Sequence, residues 1–192
     1  MELKRNPPTL KPKGFRQQFR AKVLSRHLRV FKDSDRTLDL GCGWGGSLLI
    51  NPKFWLVDAD SECISSLRKS TDRAFLCDLA QPLPFEDGFF ENAFTHDVLE
   101  HLEADEMQHL FHEARRVVRP GGLFMNVVPN RKGFVAGLNP QVGHKRYVTR
   151  NEVEKSAEIA GFKFVKCYRA PLGTRASELF VHNKLVTLCR AI

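Results

Sequence analysis

The residues with the clearest chemical potential are Leu38-Asp39-Leu40-Gly41-Cys42-Gly43-Trp44-Gly45-Gly46, four glycines within six positions behind a carboxylate. Glycines in such a run permit a tight turn and a close approach of backbone to a ligand. A turn that opens a helix also offers free N–H groups to an anion. The run satisfies GxGxxG through Gly41, Gly43 and Gly46, which alone is a weak signal, and GxGxG through Gly41, Gly43 and Gly45. Asp39 separates the readings. A carboxylate two residues before the first glycine repels a pyrophosphate and attracts an ammonium group. Asp58 closes the later string WLVD, where an acid can accept both hydroxyls of a ribose. Together they describe a pocket for a nucleoside that carries an amino acid. The competing reading is a plain tight turn before a helix.

Histidines form the second set: His27, His96, His101, His109, His112, His144 and His182. Histidine is the default proton carrier near neutral pH. His96 follows an apolar strand pattern, so it either lines a pocket or belongs to the fold. His96-Asp97-Val98-Leu99-Glu100-His101 is neither HExxH nor HxxEH. Five helical residues turn about 500°, so the two rings would not share a face, and no metal site is expected. His109 and His112, three apart on an amphipathic pattern, read as a solvated face. The segment 139–147 (NPQVGHKRY) is expected at the carboxyl edge of the sheet, where open α/β folds bind ligands. As a lid it would place His144 as base or orienter and Arg146 as an anion clamp, since guanidinium matches planar anions. Otherwise His144 and Arg146 tie the loop to the neighbouring helix.

Elements to position these residues are legible in the periodicity. Strands are expected at 36–40, 53–57, from 74, at 92–95, 122–128, 162–169 and 184–191. Helical patterns fall at 61–70, 104–118 and 150–160. Thr149 with Glu152 signals a capping box, and Gly161 a helix stop. Strand and helix alternate through residue 160, which predicts a parallel α/β sheet, with the two late strands able to pair antiparallel at its edge. Upstream, Phe15, Phe19, Val23, Leu24, Leu28 and Phe31 recur near helical spacing, so 14–32 reads as an amphipathic helix packed on the core. Only twelve residues separate Gly45 from Asp58, and Pro52 is among them. The first crossover is therefore expected to be stunted.

LDLGCGWGG, VDAD, CDLAQPLPFEDGFFENAFTHDVLEHL and RPGG, in that order, resemble the class I S-adenosylmethionine-dependent methyltransferases. The likeness spans roughly 36–170 and is greatest to the small-molecule group that includes the ubiquinone- and menaquinone-biosynthesis enzymes. It implies a single Rossmann-like doubly wound sheet, mostly parallel with an antiparallel last strand. It implies S-adenosyl-L-methionine as cofactor, with Asp39, Gly41, Gly43 and Gly45 at its methionine end. Asp58 would take the ribose, and Asp78 with Leu79 the adenine. Asp60 competes with Asp58 but sits where a helix cap belongs. His96 would stand near the sulfonium. Gly143 to Thr149 resembles a stretch that lies near substrate in this group. THDV stands where base-methylating enzymes carry an NPPY-type tetrapeptide, and no Pro-Cys lies there, so nucleic-acid bases are disfavoured acceptors.

The 192 residues suit one domain with an appended arm: a tail at 1–13, then a methyltransferase domain at 14–192 with its core at 36–192. At 42% hydrophobic and 27% charged the composition is globular. No run approaches the roughly 18 apolar residues of a membrane span, and no apolar leader opens the chain. Five scattered cysteines suit reduced thiols in the cytoplasm. The net charge of +8 resides in residues 1–36, with eleven Lys and Arg against three acids; the rest carries nineteen of each. Such an arm can meet nucleic acid or an anionic membrane surface, or simply be a solvated helix face. The expected activity is methyl transfer to O or N of a small, possibly anionic, molecule by a monomer or weak dimer. The alternatives are an RNA or protein methyltransferase docking through the arm, and a cofactor-binding protein without catalysis.

Overall fold

The computed structural model describes residues 25–129, 144–170 and 184–192. Seven strands form one sheet: β1 (Thr37–Leu40), β2 (Trp55–Asp58), β3 (Ala74–Leu76), β4 (Phe90–His96), β5 (Val118–Pro129), β6 (Phe162–Ala170) and β7 (Lys184–Ala191). Their order is β3-β2-β1-β4-β5-β7-β6. Pairings among β1 to β5 are parallel, and β7 runs antiparallel to both β5 and β6. The late pair lies at the sheet edge with β6 outermost.

Neighbouring residues on a strand point to opposite faces, and here both faces are apolar. Val57, Ala93 and Phe124 enter one buried cluster; Leu56, Phe94 and Met125 enter the other. A sheet buried on both sides needs helices on both sides. The first face is covered by α2 (Ala104–Val117) through Met107, Leu110, Phe111 and Ala114, and by α3 (Arg150–Ile159) through Val153 and Ala157. The second is covered by α1 (Ser61–Leu67) through Ile64 and Leu67. Beside α1 lies a helical segment at 25–28 that tightens into a 3-10 turn at Arg29–Phe31. Of the apolar stripe expected over 14–32, Leu28 and Phe31 are buried in this core. Phe15, Phe19, Val23 and Leu24 lie outside the described residues, as do the tail at 1–13 and positions 139–143. Thr149 and Glu152 form the expected capping box of α3, and Gly161 ends that helix at φ +87°.

Two features position the site. The chain steps outward from β1 to β3, then returns to lay β4 beside β1, leaving a crevice at the carboxyl ends of those two strands. The first crossover is a single 3-10 turn, Gly46–Leu49, in place of an α-helix, as the short spacing required.

Phe31 stacks on Phe94 at 6.1 Å between ring centroids, and Phe54 meets Phe94 edge-on at 5.7 Å. Phe31→Ala should therefore cost about 3 kcal/mol, read as a lower urea midpoint at an unchanged m-value. A loss under about 1 kcal/mol would mean that the helix end rests on the sheet without being part of its core.

Candidate active site

Gly41, Gly43 and Gly45 all take left-handed backbone, at φ +78°, +50° and +68°. The amides of Gly41 and Cys42 both donate to the Val57 carbonyl, at 2.8 and 3.0 Å, which clamps the turn to the end of β2. A Cβ on Gly41 would lie 2.5 Å from Val98 Cγ2, and one on Gly45 2.5 Å from Leu67 Cδ2, whereas one on Gly43 would meet nothing within 4 Å. Gly41 and Gly45 are thus set by packing, and Gly43 borders open space. The Gly43 amide donates to Asp58 Oδ2 at 2.7 Å, and Asp58 Oδ1 accepts from the Asp60 amide at 2.9 Å. Asp60 spends its carboxylate on the amides of Glu62 and Cys63, capping α1. Of the two acids, only Asp58 reaches the glycine turn.

Beneath the turn, Asp39 is 4% exposed and accepts a hydrogen bond from Ser47 Oγ at 2.5 Å. Burial pushes its carboxyl up to about 7; the Ser47 hydroxyl opposes that shift and the charge of Asp58 adds to it. Burial also pushes the Cys42 thiol upward. Asp78 lies two residues beyond β3, exposed, with Oδ1 accepting from the Ala80 amide at 3.0 Å. Leu79 is buried in the core.

A polar cluster fills the carboxyl end of β4. His96 is the last residue of that strand. Asp97 follows at φ +57°, an uncommon conformation for a residue with a Cβ, and its amide donates to the Val127 carbonyl at 2.9 Å. The Asp97 carboxylate lies 3.4 Å from His96 Nδ1 and pairs with Lys184 Nζ, buried at the start of β7. The His27 ring stands 6.2 Å from that of His96, and burial, then the Lys184 charge, lowers its pKa. The chain next makes a 3-10 turn, Leu99–His101. Here Glu100 is 2% exposed. Burial pushes its carboxyl up to about 7, and the charge of Asp97 adds to the shift.

The Glu100 carbonyl accepts from the amides of Lys145 and Arg146, at 2.9 and 3.3 Å. This docks the end of the 139–147 segment on the turn after β4. His144 Nε2 comes within 3.9 Å of Glu100 Oε1, and its ring meets that of His101 edge-on at 5.0 Å. Arg146 is directed elsewhere: its guanidinium pairs with Glu152 at 2.7 Å. His112 is exposed as expected, but His109 is half-buried with Nε2 enclosed, a correction to the reading of both as a solvated face. His27, Asp97, Glu100 and Lys184 were not singled out from the sequence. Asp97 had a signal, its place directly after a strand; Lys184, far along the chain, had none.

A methyltransferase-domain profile matches residues 38–126, from β1 into β5. A probable S-adenosylmethionine-dependent methyltransferase of Mycolicibacterium smegmatis is 32% identical over 136 residues, which cover 66% of this chain and 51% of that protein. The 27-O-demethylrifamycin SV methyltransferase of Amycolatopsis mediterranei is 26% identical over 176 residues, covering 76% and 62%. The chain spans between 38% and 62% of the length of the curated relatives it matches. A crystal structure of an S-adenosylmethionine-dependent methyltransferase from Thermotoga maritima, a possible histamine N-methyltransferase, superimposes with a TM-score of 0.73. That superposition covers 92% of this chain and 91% of that one at 17% identity, a likeness of fold. The profile lies over the glycine turn and the strands that carry it: residues 38–126 match a methyltransferase domain, and the sheet has the fold of S-adenosylmethionine-dependent methyltransferases.

Proposed function

We propose that this chain transfers a methyl group from S-adenosylmethionine to an oxygen or nitrogen of a small molecule, in the crevice between the ends of β1 and β4. The observation that carries the reading is the glycine turn. Gly43 borders open space with its amide on Asp58, and a buried carboxyl, Asp39, lies beneath. These residues fit the cofactor. Asp39 with Gly41, Gly43 and Gly45 would hold its methionine end, Asp58 its ribose, and Asp78 with Leu79 its adenine. When bound, S-adenosylmethionine supplies a methyl group already activated by a positively charged sulfur.

The remaining work is alignment and proton removal. Asp97, held by Lys184, faces Nδ1 of His96. That carboxylate favours the tautomer with its proton on Nδ1; Nε2 is enclosed in the ligand-free protein and would take a proton only from an acceptor seated directly against the ring. Residues 144–147 wall the pocket, with Arg146 positioning them through Glu152. The rifamycin relative supports a small-molecule acceptor.

Asp39 makes cofactor affinity depend on pH. With its carboxyl at about 7 in the ligand-free protein, binding an ammonium group favours the ionised form, so a proton must leave first below pH 7. S-adenosylhomocysteine should bind about tenfold more weakly at pH 6 than at pH 8, by calorimetry. A flat profile would separate Asp39 from the amino group. Unliganded Asp39→Asn protein should melt no lower than wild type at pH 8, because the native charge it removes is buried and costly above pH 7.

The glycines should divide by effect. Gly45→Ala drives a methyl group onto Leu67 at a left-handed position, so it should lower the melting temperature more than Gly43→Ala. Gly43→Ala should fold and lose at least tenfold in S-adenosylhomocysteine affinity; equal melting of the two variants would contradict the packing distinction.

His96→Ala should cut turnover roughly 100- to 10,000-fold and leave S-adenosylhomocysteine affinity within twofold. A drop below tenfold would reduce His96 to a wall of the pocket.

A further inference from the structure

Glu100 presents a problem that the fold leaves unsolved. It is 2% exposed, and neither carboxylate oxygen accepts a hydrogen bond from any other described residue. The nearest ring nitrogen, His144 Nε2, is 3.9 Å away, too far for a hydrogen bond. A buried carboxylate in that state is costly unless a positive charge joins it. Two nitrogen ligands already stand beside it. One ligand atom each from Glu100, His101 and His144 lies within 4.8 Å of the other two. The arrangement is anchored in the backbone, because the amides of Lys145 and Arg146 are bonded to the carbonyl of Glu100 itself.

We propose that Glu100, His101 and His144 bind a first-row divalent cation at the acceptor end of the crevice. Two imidazoles and a carboxylate suit manganese, iron or zinc, not calcium or magnesium with their all-oxygen preference. Three protein ligands leave coordination positions open, as catalytic metal sites do. The site lies two residues past Val98, whose side chain packs on Gly41 of the cofactor turn, so an acceptor on the metal would lie beside the cofactor. This assignment rests on the methyltransferase reading above and narrows it to oxygen acceptors. An acceptor hydroxyl on the metal gives up its proton to solvent more readily and keeps the O–H electron pair on oxygen. Helical spacing sets His96 and His101 on different faces, but residues 99–101 form a 3-10 turn and the third ligand arrives from position 144.

The test is Mn²⁺ binding to the full chain, followed by loss of the free-ion paramagnetic resonance signal, with Zn²⁺ calorimetry beside it. One equivalent should bind, and His144→Ala and Glu100→Gln should each weaken binding at least tenfold. His112→Ala, an exposed histidine, should not. Melting curves establish that each variant is folded; His144 is the more exposed ligand, so its variant keeps the test decisive if Glu100→Gln unfolds. No stoichiometric binding of either ion, or binding untouched by His144→Ala, overturns the proposal. S-adenosylhomocysteine calorimetry on the same samples separates the two readings. If S-adenosylhomocysteine binds but neither ion does, the metal site alone falls; if S-adenosylhomocysteine does not bind, the cofactor reading falls.

Discussion

The contact between Gly41 and Val98 is where the two halves of the site meet. The turn after β1 and the turn after β4 approach so closely that a single methyl group on Gly41 would overlap the Val98 side chain. That approach is possible because the chain reverses direction across the sheet between these strands, which leaves their carboxyl ends side by side. Everything on the cofactor side is measured from Gly41: the clamp to Val57, the open face of Gly43, the buried Asp39. The polar cluster after β4 is measured from Val98 in the same way, with His96 and Asp97 before it, and Glu100 and His101 after it. One steric constraint sets the spacing between these two turns.

Buried charge is the second organising theme. Asp39, Glu100, Asp97 and Lys184 lie at or near the crevice floor, and only Asp97 and Lys184 neutralise one another directly. Asp39 and Glu100 both have their carboxyls pushed up to about 7. Such groups destabilise an empty site and are tolerated where a ligand completes them. Asp39 lies where an ammonium group would complete it, and Glu100 where a cation would. The left-handed backbone at Asp97 fits the same pattern of local cost concentrated where function resides.

How far the sequence carried depended on whether the interaction was local. Short apolar runs placed all seven strands, because such a run is a property of a few adjacent residues. The capping box of Thr149 and Glu152, the helix stop at Gly161 and the cap at Asp60 were legible for the same reason. So was the stunted crossover, which is arithmetic on twelve residues. The glycine turn with Asp39 and Asp58 was legible because its chemistry is written in consecutive residues. What could not be read were pairings across the chain: Lys184 with Asp97, separated by 87 positions, or His144 with Glu100. Arg146 shows the limit most directly. Its sequence context suited an anion clamp, yet Glu152, six residues on, holds its guanidinium.

The four-residue crossover carries a further consequence for what the glycine turn can recognise. In an α-helix the peptide dipoles align and sum to about half a positive charge at the amino end, which is how many glycine turns attract phosphate. Gly46–Leu49 is one 3-10 turn, too short to build that field. The crevice therefore lacks the axial electrostatic pull that a dinucleotide exploits, while Asp39 and Asp58 give it a negative bias. With so short a crossover, the electrostatic character of the turn is left to these two carboxylates.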